Sequence, residues 1–339
     1  MTIRKNFTFA QRATRMSELD RIRKPVENEI GEFEKVFRSS MKSNIPLLTL
    51  VTNYVLRRKG KQIRPIFVFL SASLNGGVKE STYVASSMIE LLHTATLIHD
   101  DVVDESYERR GFFSINALWR SKIAVLLGDY MLAKGLLVAV QHKEYELLDI
   151  VSEAVREMSE GEILQLQKSR KNGISAEEYF EIIRKKTATL IAACTASGAR
   201  SAGAEPEKVQ LMKEFGEYVG IAFQIKDDIL DYQKKGLTGK PSGNDIKDQK
   251  YTLPLILGIE KSDAAEQRRI RRMMGTNHMN TGKIESIIRF AEQSGGLESA
   301  RQQMNEYRDK ALGILGSFPE NDARKALQEL VVFITERDH

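Results

Sequence analysis

The chain has 339 residues, 51 Lys and Arg against 46 Asp and Glu for a formal charge of +5, and 42% apolar residues, enough for a sizeable core. A single cysteine, Cys194, excludes a disulfide framework and a cysteine-based zinc site and fits a reducing compartment, so the cytoplasm is expected. Seven prolines in 339 residues fall well below the usual ~5%, which with 7% aromatics favours helix over a turn-rich sandwich.

Residues 1–17 carry Arg4, Lys5, Arg12 and Arg15 with no acid before Glu18. They are read as a loose basic arm, with an organelle transit segment as the alternative. Beyond them the chain reads as long amphipathic helices, broken at Gly76-Gly77, Gly111, Gly173, Gly203, Gly295-Gly296 and Pro319. No sustained strand alternation and no linker composition appear. The expectation is one all-α domain over 1–339, a bundle of long helices around a central cavity. The most apolar stretch, residues 121–140, is interrupted by Lys122, Asp129 and Lys134, so no membrane span is expected.

In chain order, Gly60-Lys61-Gln62-Ile63-Arg64-Pro65 comes first, with Lys61 and Arg64 read as one helical turn apart. Residues 78–104 follow. Val84, Met88, Leu91, Ala95, Ile98 and Val102 form one narrow stripe at ~100° per residue, with His93, Asp100 and Asp104 roughly opposite. Arg109-Arg110-Gly111 closes this segment, and Lys186-Thr187 adds another cation and a hydroxyl. Cys194 reads as core. The Gly216 and Gly220 pair means close helix packing or room for an apolar chain beside Phe223 and Gln224. Residues 234–250 hold Gly236, Gly239, Pro241 and Gly243 among Lys235, Lys240, Lys247 and Lys250. They read as a basic loop, either a surface linker or a lid over an anionic ligand. Arg268, Arg269, Arg271 and Arg272 read as a solvated helix face, and no nucleic-acid partner is expected.

The chemistry lies in two pentapeptides of one pattern, DDVVD at 100–104 and DDILD at 227–231. On a helix Asp100 and Asp104 share a face, as do Asp227 and Asp231. Like charges one turn apart repel, and a divalent cation rewards the arrangement. Mg²⁺ takes one or two carboxylates and fills its octahedron with waters and substrate phosphates. The accompanying Arg and Lys residues offer forks and point charges to phosphate, enough for two polyanions. His93 is a candidate donor to the second.

These residues resemble the trans-isoprenyl diphosphate synthases. DDVVD with RRG, GKQIRP, KT and QIKDDILD occur in family order between about Gly60 and Pro254, and ELLHTATLIHDDVVDE looks most like the long-chain branch that makes quinone tails. The resemblance implies an all-α prenyltransferase, usually homodimeric, with Asp100, Asp104 and Asp227 as main Mg²⁺ ligands and Asp101, Asp228 and Asp231 in support; three ions per site are expected. It implies contacts from Arg109, Lys186, Thr187, Gln224 and Lys240 to an allylic diphosphate, and from Lys61, Arg64, His93 and Arg110 to isopentenyl diphosphate. Phe112-Phe113 after RRG departs from the family, which often has a Lys and a small residue there. Arg337 resembles a basic tail that closes over the site.

Small residues below the first motif, Ala95 and Thr96 with Leu92 a turn deeper, suggest a pocket that continues past this level, with Leu132 and Leu136 on the next helix as candidate floor. The expected product is a long-chain polyprenyl diphosphate, heptaprenyl to decaprenyl with octaprenyl favoured, destined for a membrane. A terpene cyclase would leave Lys61, Arg64 and His93 without purpose. A head-to-head synthase would need NADPH. A non-catalytic partner subunit would be expected to have lost motif acids, and five scattered histidines make a His-Asp phosphohydrolase metal set hard to assemble.

Overall fold

The computed structural model describes residues 17–57, 60–109, 112–169, 173–233, 243–276 and 279–336. The basic arm, Arg110, Lys240 and Arg337 lie outside them, as does the side chain of Arg109. Ser17 belongs to the fold, since its hydroxyl caps the first helix by accepting from the Asp20 N–H.

In chain order the helices are α1 (Glu18–Arg23), α2 (Glu27–Ser40), α3 (Pro46–Arg57), α4 (Ile63–Leu74), α5 (Glu80–Val103), α6 (Ile115–His142), α7 (Tyr145–Ser169), α8 (Ala176–Ile183), α9 (Thr189–Ser201), α10 (Pro206–Asp231), α11 (Asn244–Lys247), α12 (Leu253–Glu260), α13 (Ala264–Met274), α14 (Thr281–Gln293), α15 (Gly296–Gly316) and α16 (Asp322–Glu336). The all-α expectation holds. Gly76, Gly77, Gly173, Gly203 and Gly295 all adopt positive φ at breaks read from the sequence. The expectation of no sheet needs one correction. Glu108–Arg109 and Phe112–Phe113 pair antiparallel, a ladder too short to leave an alternation signal.

The bundle is organised around α4 and α9. Residues Ile66 to Leu70 are at most 1% exposed, and α9 is buried on every face from Ala192 to Ala199. A helix apolar or small all round belongs inside. The α4 and α9 backbones meet at Gly198, where a Cβ would stand 2.3 Å from the Val68 carbonyl oxygen. Cys194 is fully buried here, and burial pushes its thiol far above the ordinary range. Around this pair stand α5, α7 and α10, while α6 lies along α5 and α15 along α10.

Two readings of spacing are revised. Gln62 stands at φ 52° and starts α4, so Lys61 lies before the helix and not one helical turn from Arg64. The late basic loop also contains some helix: α11 starts at Asn244, its first amides held by Asp231.

The exclusion of a span by interrupting charges is revised too. By length and composition α6 could cross a membrane. Ala124, Leu127 and Met131 nevertheless pack into the cluster containing Leu91, Ala95 and Ile98 of α5.

Candidate active site

The first aspartate motif ends α5. The Asp104 N–H donates to the Asp100 carbonyl at 2.8 Å, so the two residues keep their i,i+4 relation through the last turn. Glu105 follows at φ 48°, and Ser106 N–H reaches back to the Asp101 carbonyl. This closes the helix in the manner usually given to glycine. Carboxylates at a helix C-terminus meet the negative end of the dipole, which adds to the advantage of a cation.

The second motif ends α10. Burial differs among the six acids: Asp101 and Asp228 are 3% and 2% exposed, Asp100 and Asp231 are half-buried, and Asp104 and Asp227 are exposed. Asp228 accepts from the Tyr179 hydroxyl at 2.6 Å, the Gln224 amide at 3.0 Å and the Leu253 N–H at 3.3 Å. Burial pushes its carboxyl up to about 7, against the lowering effect of those donors. Asp231 accepts from the Asn244 and Asp245 N–H groups at 3.0 Å each, and burial, with Asp245 nearby, raises its carboxyl.

Lys186 and Thr187 stand in a π-turn, Arg184–Ala188, joining α8 to α9. Such turns concentrate at functional sites. Two glycines hold this one. A Cβ on Gly161 of α7 would meet the Lys186 nitrogen at 2.8 Å, and one on Gly220 of α10 would meet the Ala188 Cα at 2.4 Å. A Cβ on Gly216 would likewise meet the Ala192 Cα at 2.6 Å. The glycine pair in α10 therefore serves close packing, and the alternative of room for an apolar chain is set aside. Lys186 Nζ reaches Glu162 at 2.5 Å and Gln165 at 3.0 Å, both on α7. The Thr187 hydroxyl donates to Gln224 Oε1 at 3.0 Å. Thr187, Gln224, Asp228 and Tyr179 thus form one relay tying the π-turn to the second motif.

The remaining basic residues are distributed around α4. Arg64 Nε donates to Glu90 of α5 at 2.9 Å, with both side chains mostly buried. Lys61 is exposed, its ammonium 5.5 Å from the centre of the Phe333 ring on α16.

Below the first motif a narrow apolar cavity of about 10 Å³, room for the centre of one water, lies between α5, α7 and α9. Its wall includes Leu92, His93 and Thr96 of α5, Val155 and Met158 of α7 and Leu190 of α9. His93 therefore belongs to this wall. Ala95 does not line it: it is fully buried against α6 in the α5–α6 contact. Leu132 packs in that same region and Leu136 is 48% exposed, and neither lines this cavity.

Among the described residues, no three His, Cys, Asp or Glu side chains gather to hold an ion unaided. The donor set nonetheless suits Mg²⁺, which draws few ligands from protein and the rest from phosphate and water. Sequence reading missed Tyr179, Glu90, Glu162, Gln165 and Gly161. Of these, only Tyr179 stood near a legible signal, the Ser175–Glu178 capping box that opens α8. Tyr179→Phe should leave the buried Asp228 one donor short and lower stability by ~1–3 kcal/mol, read as a shift in denaturant midpoint. An unchanged midpoint would show the bond to be dispensable.

The model of the polyprenyl synthetase family matches residues 45–291. An all-trans-nonaprenyl-diphosphate synthase (geranyl-diphosphate specific) of Rhodobacter capsulatus is 35% identical, over 92% of this chain and 96% of its own. An octaprenyl diphosphate synthase of Escherichia coli (strain K12) is 32% identical, over 94% and 99%. The crystal structure of a polyprenyl synthase from Caulobacter crescentus CB15, complexed with calcium and isoprenyl diphosphate, superposes with a TM-score of 0.87 at 33% identity, covering 96% of this chain and 99% of that one.

Proposed function

Because the chain belongs to the polyprenyl synthetase family, we propose that it is a prenyltransferase condensing isopentenyl diphosphate head-to-tail onto an allylic diphosphate such as farnesyl diphosphate. The product is a long-chain all-trans polyprenyl diphosphate, heptaprenyl to decaprenyl with octaprenyl favoured, for a quinone side chain in a membrane. The observation that carries this reading is the exposure pattern of the two aspartate motifs: Asp100, Asp104 and Asp227 accessible in the last turns of α5 and α10, with Asp101 and Asp228 buried.

Asp100, Asp104 and Asp227 would hold Mg²⁺, with three ions per diphosphate-bound site. When bound, Mg²⁺ neutralises the diphosphate and lowers the barrier to its departure. The buried Asp228 fixes the end of α10 and orients the Gln224 amide, whose oxygen also takes the Thr187 hydrogen bond. That preset dipole stabilises the allylic cation as the C1–O bond breaks. The alkene of isopentenyl diphosphate attacks C1, and the proton lost as the new double bond forms goes to the released pyrophosphate. Lys61, Arg64, His93 and Arg110 hold isopentenyl diphosphate; Arg109, Lys186, Thr187, Gln224 and Lys240 hold the allylic partner. The growing chain enters the apolar cavity below the first motif. The test is incubation with farnesyl diphosphate, isopentenyl diphosphate and Mg²⁺, followed by chromatographic sizing. Release of free prenols or cyclic hydrocarbons without consumption of isopentenyl diphosphate would reject the condensation.

The two-substrate division has its own test. Lys61→Ala should raise KM for isopentenyl diphosphate, and Lys186→Ala the KM for the allylic substrate, each by the ~1.5–3 kcal/mol of a charged hydrogen bond. Equal weakening of both substrates in both variants would dissolve the division.

The proposal places the enzyme in the cytoplasm as a homodimer formed through α6. Leu118, Val125, Leu126, Leu136, Leu137 and Val140 are each at least 40% exposed on that helix, a patch suited to a second copy. Leu126→Arg should convert a dimer to a monomer by light scattering. A chain that is already monomeric would remove this element.

A further inference from the structure

The π-turn sets two consecutive lysines against α7, and α7 answers them differently. Lys185 Nζ lies between Glu160 at 2.7 Å and Glu157 at 3.2 Å, and Glu157 also draws Arg184 at 3.6 Å. With its side chain 15% exposed, Lys185 clamps the turn to α7. Lys186 Nζ meets Glu162 at 2.5 Å and Gln165 at 3.0 Å, and its side chain is 36% exposed. The backbone beneath both lysines is fixed. A Cβ on Gly161 of α7 would stand 2.8 Å from the Lys186 nitrogen and 2.8 Å from the Lys185 Cβ. What remains adjustable is the long side chain of Lys186.

An ammonium has three donors. Glu162 and Gln165 take two, so a phosphate oxygen bound by Lys186 either shares Nζ with the Glu162 carboxylate or replaces it. Two oxygens on one nitrogen are at most ~6 Å apart, close enough for like charges to repel across a partly exposed site. Sharing costs that repulsion, and replacement costs the ion pair. On either course Glu162 weakens the hold on diphosphate. We infer that Glu162 is a positioning residue that moderates the grip of Lys186 on the allylic diphosphate and so sets how readily the pyrophosphate left by each condensation departs. The inference rests on the assignment of Lys186 to that diphosphate. An unopposed cation would retain pyrophosphate, and the next round would wait for it to leave.

The experiment is a calorimetric titration of the full chain with inorganic pyrophosphate and Mg²⁺, together with steady-state kinetics. Glu162→Gln keeps the shape and removes the charge. It is expected to tighten pyrophosphate binding about two- to fivefold, the cost of breaking a partly exposed ion pair. The allylic KM should fall by a similar factor, pyrophosphate should inhibit more strongly, and the isopentenyl diphosphate KM should stay unchanged. Glu162→Ala should act in the same direction. Glu160→Gln removes an equal charge from α7 but touches Lys185, so it should leave pyrophosphate affinity at the parent value. In a Lys186→Met background Glu162→Gln should have no effect. A gain of affinity is a readout that damaged packing does not produce.

Unchanged or weaker pyrophosphate binding in Glu162→Gln would overturn the inference and leave the Lys186 assignment standing. Equal tightening in Glu160→Gln, or in the Lys186→Met background, would trace the effect to net charge and overturn it as well. A parent pyrophosphate affinity and a parent allylic KM in Lys186→Met would remove the assignment and the inference together.

Discussion

Asp100→Ala and Asp227→Ala are each expected to lower turnover by at least ~10², with little change in melting temperature. Asp227 is exposed and Asp100 half-buried in the last turns of their helices, so neither truncation empties the core. Each removes a carboxylate from a set that binds Mg²⁺ through few protein ligands, where losing one is a large fraction of the whole. Asp228→Ala provides the contrast. It would strand the Tyr179 hydroxyl, the Gln224 amide and the Leu253 N–H in a buried place, at ~1–3 kcal/mol for each unsatisfied group. Its activity loss should therefore come with a lower melting temperature. Thermal melts and initial rates on the three variants separate the two kinds of aspartate. Full activity in EDTA, or in either of the first two variants, would reject the metal assignment.

Thr96→Phe should move the main product to a short chain while leaving the first condensation intact. Thr96 lies four residues before Asp100, ~6 Å below it at 1.5 Å per residue, and its side chain faces the cavity between α5, α7 and α9. A ring there obstructs the path of a lengthening chain without touching the motif. Ala95→Phe, which residue size alone would suggest, has a different expected result. Ala95 is fully buried against α6, so a ring should force α5 and α6 apart and cost ~1–3 kcal/mol. The cavity, at about 10 Å³, is far smaller than a polyprenyl chain. Elongation must therefore displace side chains such as Met158 and Leu190 as it proceeds. Products of both variants, sized by chromatography, decide the matter. An unchanged distribution in Thr96→Phe with shortening in Ala95→Phe would move the channel to the α5–α6 side.

The difference between these neighbours marks where sequence reading stops. The aspartate motifs were legible because four carboxylates in i,i+4 pairs oppose ordinary helix energetics, and only a ligand explains them. The helix α5 was legible because its stripe fixes one face. That stripe could not say what each flank meets. Ala95 and Thr96 are ~100° apart on the helix, and that rotation separates a helix–helix seam from a cavity wall. Tyr179 is 49 residues from the Asp228 it supports, and no local pattern encodes such a pair. Lys61 and Arg64 looked like neighbours on one helix until a left-handed Gln62 separated them.

The π-turn at Arg184–Ala188 carries a consequence for insertions and deletions. Its i→i+5 closure, from the Thr189 N–H to the Arg184 carbonyl, is what a helix acquires when one residue is added to an otherwise regular run. Deleting a single residue there, Lys185 for example, would let α8 run into α9 as continuous α-helix. Because the wide turn takes up the extra residue, the helices on either side would keep their places after the deletion; what would change is the backbone between them, and with it the contacts of Lys186 with Glu162 and Gln165 and of Thr187 with Gln224. The shortened chain is then a better helix and a poorer enzyme. The extra residue can be regarded as slack, retained at a local loss of regularity because it lets one turn between two core helices present its side chains to the site.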